Sequence, residues 1–201
     1  MPARWYPDLA RYRDMETGRF ISRERVVELT RQSITATADV AATLTGQLTA
    51  GQLSTADFAA VLWQEVKDEH VRQYLIGRGG IGVMTQADWG SVGGSLSHQR
   101  SYFQAFVTQI AGGDLSEGEI RRRAQMYVNS ARESYERAYK RSVIDTGRYS
   151  EEKWNLNPGQ NCGDCSDLAA RGWVPIGELP TVPGAGGTQC KTGCNCYITY
   201  R

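Results

Sequence analysis

Between residues 22 and 147, apolar and small side chains recur at steps of three and four, and after residue 148 that rhythm stops. The first run carries Val27, Ile34, Ala41, Leu44 and Leu48, with Thr30 and Thr37 filling its gaps. This spacing predicts one helix face about seven turns long. Ser22 can cap it, with Glu24 near the positive end. The stretch TAGQLSTAD breaks the run, and Ser54 with Asp57 partly matches a capping box. Phe58, Val61, Leu62, Val66 and Leu75 then mark a second helix, which stops at GRGGIG. A third starts near Thr85, with Asp88 three residues on, and carries Trp89, Val92, Leu96, Phe103, Phe106 and Ile110. Gly90, Gly93 and Gly94 weaken its first turns by roughly 1 kcal/mol each relative to alanine and leave room for another backbone. Gly112 and Gly113 end it. Ser116 and Glu119 form a full capping box for a fourth helix. Its stripe is Ile120, Ala124, Tyr127, Ala131, Tyr135 and Ala138, and it runs to Val143 before Gly147.

The ends differ from this middle. Residues 1–20 are charged and broken by Pro2, Pro7 and Gly18. They read as an extended arm that orders on assembly, with Trp5, Tyr6, Tyr12 and Phe20 available to dock on a core or a neighbour. From residue 148, EKWNLNP reads as a strand ending at Pro158, SDLAARG as a single helical turn, and CYITY as the last strand. Pairing KWNLN with YITY gives a two-stranded sheet, which is marginal without further support. The expected fold class is mainly α. An elongated helical domain of about four helices (21–147) follows the arm (1–20) and precedes a small Cys-rich, zinc-ribbon-like β module (148–201).

All five cysteines fall in the last forty residues, as C-x2-C, a 24-residue loop and C-x3-C-x-C: Cys162, Cys165, Cys190, Cys194 and Cys196. Two short-spaced groups separated by a loop suit a tetrahedral structural zinc ion, with four of the five as ligands. The tail has few large apolar side chains, so a metal would supply much of its folding energy. Disulfides are the second reading, with one thiol left over. A redox centre at Cys-Gly-Asp-Cys is the third, and it would require a helix start beside a βαβ core.

Composition narrows the classes. The net charge of +1 gives no global field toward nucleic acid or membrane. Arg121, Arg122 and Arg123 form one local basic run, read first as a solvated helix face. Residues 148–201 balance five basic side chains (Arg148, Lys153, Arg171, Lys191, Arg201) against five acidic ones (Glu151, Glu152, Asp164, Asp167, Glu178), which speaks against a nucleic-acid-binding zinc module. No apolar run approaches the roughly 18–20 residues of a membrane span, and the N-terminus lacks a signal-peptide core. Synthesis in a reducing cytoplasm is expected, where clustered cysteines more often hold metal. Gly77, Gly79 and Gly82 match GxGxxG, but a helix rather than a strand precedes them, so helix-ending glycines explain them better. His70 and His98 complete neither HExxH nor a deaminase motif. No serine or cysteine nucleophile with a base can be assembled, so no catalytic residue is expected.

The ending NPGQNCGDCSDLAARGWVPIGELPTVPGAGGTQCKTGCNCYITYR resembles the C-terminal module of tailed-phage minor head proteins, or head morphogenesis proteins, of the phage Mu F-like type. That pattern runs from a strand through C-x2-C, a short helix and a Gly/Pro loop to a Cys or His and N-C-[RK]-C before the last strand. Cys162, Cys165, Cys190, Cys194 and Cys196 occupy its positions. Gly193 stands where the family often has Asn, and Asn195 replaces the basic residue. YRDMETGRFISRERV also resembles leader segments of virion proteins, and GRGGIGVMTQADWGSVGG resembles stretches in phage relatives with the same tail. The resemblance implies a non-enzymatic virion protein made in the host cytoplasm. It would act near the portal or neck in assembly, DNA packaging or head–tail joining. Portal, capsid or neck proteins would be its partners, in several copies on a symmetric ring, with no membrane and no required DNA contact.

Overall fold

The computed structural model describes residues 3–6, 9, 11–159 and 161–201, with Trp5 as backbone alone. Pro2, Pro7 and the Trp5 ring, read as features of the arm, lie outside the described residues. The chain is mainly helical, with a small Cys-rich module at its C-terminus. Five long helices build the body: α1 (Arg23–Thr49), α2 (Thr55–Arg78), α3 (Gln86–Gly112), α4 (Glu117–Asn129) and α5 (Ala131–Asp145). The hydroxyls of Ser22, Ser54, Thr85 and Ser116 each accept a hydrogen bond from the backbone N–H three residues on. Thr85–Asp88 and Ser116–Glu119 close full capping boxes. Gly79, at φ 90°, ends α2 in the left-handed conformation that glycine adopts freely.

The body core joins Ile34, Ala38, Ala41 and Leu44 of α1 to Phe58, Leu62 and Val66 of α2, Phe103 and Phe106 of α3, and Ile120, Ala124 and Val128 of α4. The expected fourth helix is two. The break is at Ser130, whose hydroxyl donates to the Tyr127 carbonyl at 2.6 Å and lies 3.0 Å from Gln99 Oε1. Such a side chain competes with the helical ladder.

Some stripe positions point elsewhere. Val61 and Trp89 are exposed. Trp89 faces out because Asp88, one position round the helix, faces in and meets Tyr74 at 3.0 Å and Arg78 at 3.2 Å. Among the described residues, nothing lies within 4 Å of an ideal Cβ on Gly90, Gly93 or Gly94, so no other described backbone closes on them. Gly90 and Gly94 instead line an open cleft of about 970 Å³ between α3, α4 and α5. The close approach is at Gly77, inside α2. An added Cβ there would stand 2.5 Å from the Tyr135 carbonyl oxygen and 2.7 Å from Ala138 Cβ.

The threonines of α1 also gain a reason. Buried Glu69 on α2 accepts from Thr37 at 3.0 Å, Ser33 at 3.1 Å and Gln73 at 2.7 Å, and pairs with Arg72. Four donors around one carboxylate offset the cost of burying it. His70 is buried beside it on α2, with Nδ1 2.8 Å from Ser134 Oγ and Nε2 3.2 Å from Ser130 Oγ. Burial lowers its pKa to about 4. His98 is exposed on α3, edge-on to Tyr102.

The N-terminal segment forms an antiparallel meander of β1 (Ala3–Tyr6), β2 (Arg11–Asp14) and β3 (Phe20–Ile21). The Asp14 carboxylate accepts from the Glu16 and Thr17 amides and tightens the turn into β3. Ala3 and Tyr12 bury against Val26, Ile76 and Tyr135, so these residues dock on the chain's own helices.

Candidate metal centre

The C-terminal sheet has the order β5–β4–β6, from β4 (Glu151–Asn155), β5 (Trp173–Pro175) and β6 (Tyr197–Tyr200). β4 pairs antiparallel with β6, Trp154 opposite Ile198, as the alternation of KWNLN and YITY predicts. β5 was not read from the sequence, and the single turn at SDLAARG is an eight-residue helix, α6 (Gly163–Ala170). Trp154, Leu168, Leu179, Val182 and Ile198 make a small core, and Cys165, Cys194 and Cys196 complete it.

Local geometry gathers the sulfurs. Cys162 is the N-cap of α6, which carries Cys165 one turn on. Cys190 and Cys194 flank a 3-10 turn (Lys191–Gly193) in which Lys191 takes a φ of 50°. Cys190 Sγ stands 3.5 Å from Cys162 and 3.6 Å from Cys165, and Cys194 is 3.6 Å from Cys165. Two triads result, Cys162–Cys165–Cys190 and Cys165–Cys194–Cys196, each with all sulfurs within 4.8 Å and with Cys165 common to both. Zinc–sulfur bonds of about 2.3 Å in a tetrahedron require sulfurs about 3.8 Å apart. The donor set therefore fits a thiophilic ion.

All five cysteines are free thiols. Each belongs to at least one triad, so the packing does not divide them into exclusive pairs. Cys196 differs from the rest, because its thiol donates to Asn161 Oδ1 at 3.4 Å.

The protons on these sulfurs are unevenly held. Backbone N–H groups of Cys165 and Cys190 pull the Cys162 pKa down to about 7. Burial pushes the Cys165 thiol far up and Cys194 up to about 12. A bound cation would replace those protons, since thiolate is the ligand form.

The module is anchored to the body. Arg132 of α5, 7% exposed, donates to the carbonyl oxygens of both Cys194 and Cys196. Lys140 of α5 pairs at 2.9 Å with buried Glu152, which also accepts from the amides of Gly177 and Leu179. Tyr139 packs edge-on against Tyr200. Sequence reasoning missed Arg132 and Glu152; a basic residue on an otherwise apolar helix face was the available signal for the first.

The other candidates stay apart from the cysteines. Arg121 pairs with Glu117 on an exposed face, and Arg123 bonds Gln109 and lies over the Phe106 ring. Tyr127 and Tyr135 pack in aromatic clusters. Among the described residues, no helix is long and apolar enough to cross a membrane. Comparison of the chain with protein-family models, with curated proteins and with solved structures finds no match.

Proposed function

We propose that this is a structural protein of a tailed-phage particle, a minor capsid or head morphogenesis component near the portal or neck, whose tail is folded around one structural zinc ion. The resemblance of the cysteine-rich ending carries the virion assignment. The convergence of five thiols in two triads sharing Cys165 carries the metal. Cys162, Cys165 and Cys190 supply three ligands as one triad, and Cys194, 3.6 Å from Cys165, is assigned as the fourth. Cys196 is the spare, occupied with Asn161. An all-sulfur set with no histidine in either triad suits a closed structural site better than a catalytic one, which keeps a position open for water. Clamped to α5 by Arg132, the module would act as a rigid docking knob for portal, capsid or neck proteins, in several copies on a ring.

Two measurements test this reading. Metal analysis with thiol counting on reduced protein is expected to give about one zinc per chain; no metal with one or no free thiol would establish disulfides instead. Quantitative mass spectrometry of purified particles of the encoding phage is expected to find several copies per particle, and its absence from particles defeats the virion role.

A second reading draws on Cys162, which starts α6 with a pKa near 7, as a reactive CxxC cysteine does. A thiol oxidoreductase would show disulfide-reducing turnover that Cys162→Ser abolishes.

A further inference from the structure

A second cleft, of about 430 Å³, lies where the first turns of α1 meet α5 and the outer end of β6. Arg23, Arg31, Tyr139, Tyr149, Tyr197 and Tyr200 supply its walls. Its volume falls in the range of small-molecule sites.

The donors around it are short of acceptors. Nε and Nη2 of Arg23, Nε of Arg31 and the phenol oxygen of Tyr200 are withdrawn from solvent, and none has a hydrogen-bond partner among the described residues. Buried donors left in this condition cost free energy that an incoming acceptor would recover. Among the described residues, Arg31 has no carboxylate within ion-pair distance. Arg23 pairs with Glu136 at 3.6 Å, and Glu136 is shared with Arg132 at 3.7 Å. Two guanidinium groups thus share one buried carboxylate. Glu24 also lines the cleft, but its own backbone N–H and Ser22 hold it in the first turn of α1 and keep its carboxyl below the usual range. Arg23 is fixed in place, with its guanidinium carbon 4.4 Å from the centre of the Tyr139 ring.

We propose that this cleft binds a phosphate monoester with an aromatic substituent. The phosphoryl oxygens accept from Arg23, Arg31 and Tyr200. Each guanidinium group can donate two parallel hydrogen bonds to phosphoryl oxygens. The aromatic part lies among the tyrosine rings, whose faces stack on flat groups. The site stands independently of the zinc assignment, because none of its walls is a cysteine.

Calorimetric titration of the full chain with inorganic phosphate and with phenyl phosphate tests this. Wild type is expected to bind both, phenyl phosphate at least tenfold tighter. Arg31→Gln, which leaves the Arg23–Glu136 pair intact, should weaken phenyl phosphate at least tenfold, and Tyr200→Phe severalfold. Arg122→Gln, an exposed arginine on α4, should change nothing. No binding of phenyl phosphate to folded wild type overturns the proposal, as does equal affinity for the two probes. Undiminished binding in both Arg31→Gln and Tyr200→Phe, with native circular dichroism, overturns it too.

Discussion

The helical body and the C-terminal module solve the same problem with different materials. In the body, twelve buried side chains from four helices interdigitate, and none is a cysteine. In the module, eight buried side chains form the core and three are cysteines. A body of that size lowers its free energy by burying apolar area. The module is small for this, and the proposed metal would supply a bond-like interaction at its centre. Stability should therefore respond to metal in one region and to packing in the other.

The largest expected effect breaks the module alone. Cys165 belongs to both triads, so Cys165→Ser, or chelation, removes a contribution on the order of 10 kcal/mol. Helical circular dichroism should persist while amide protection in β4 and β6 disappears. Loss of both together would show that the two regions are one cooperative unit.

Arg132 tests how the regions are joined. Arg132→Ala removes the donors to the Cys194 and Cys196 carbonyls and leaves Glu136 with a weaker ionic environment. A loss of about 3–5 kcal/mol is expected, as for a buried charge that loses its partner. Hydrogen exchange should place the loosening in β6 first. An unchanged denaturant midpoint would mean that the module holds its position without this clamp.

Acid should strike the body from within. The pKa of His70 is about 4 in the folded chain because burial disfavours its charge, against about 6.5 when unfolded. Between those values the unfolded chain binds more protons, so stability rises with pH there and falls as pH drops below 6.5. The full loss, about 3 kcal/mol, is reached near pH 4. His70→Gln should lack this slope. Comparing the two proteins isolates it from protonation of the thiols, and parallel pH profiles would contradict it.

A smaller, purely steric effect belongs to Gly77. Gly77→Ala sets a methyl group 2.5 Å from the Tyr135 carbonyl oxygen, and neither helix can yield without moving the other. Overpacking of this kind costs about 2 kcal/mol, visible as a lower urea midpoint with zinc content unchanged. An alanine tolerated there would show that α2 and α5 can separate freely.

Legibility in the sequence divides along another line, that of distance along the chain. The caps at Ser22, Thr85 and Ser116 were readable because donor and acceptor are three residues apart. The β4–β6 pairing was readable because alternation survives in both strands. The purpose of Thr37 was hidden, since Glu69 is 32 positions away. Arg132 was hidden more deeply, its carbonyl partners being 62 and 64 positions on. Strand β5 has only three residues, too few for any period to show. The N-terminal meander escaped notice because its turn depends on Asp14 accepting from the next two or three amides, a local signal obscured by the charges around it. The cysteine spacing announced a thiol cluster, but not that one sulfur would serve two triads.

The smallest expected effect concerns the spare thiol, and it bears on how the module differs from the body. Cys196 is 2% exposed and lies within 4.8 Å of Cys165 and Cys194, so burial and proximity alone do not exclude it as a ligand. Its proton is directed at Asn161, whereas the Cys194 sulfur stands 3.6 Å from Cys165. Serine at 196 keeps a donor for Asn161 and loses only the bulk of the sulfur. Cys196→Ser should therefore retain one zinc per chain, with a stability cost below about 1 kcal/mol. Cys194→Ser should lose the metal. If Cys196→Ser releases zinc and Cys194→Ser does not, Cys196 is the fourth ligand and Cys194 is the core side chain. In either case one cysteine packs as a small hydrophobe of the kind the body uses, and the contrast between the regions narrows to four sulfurs.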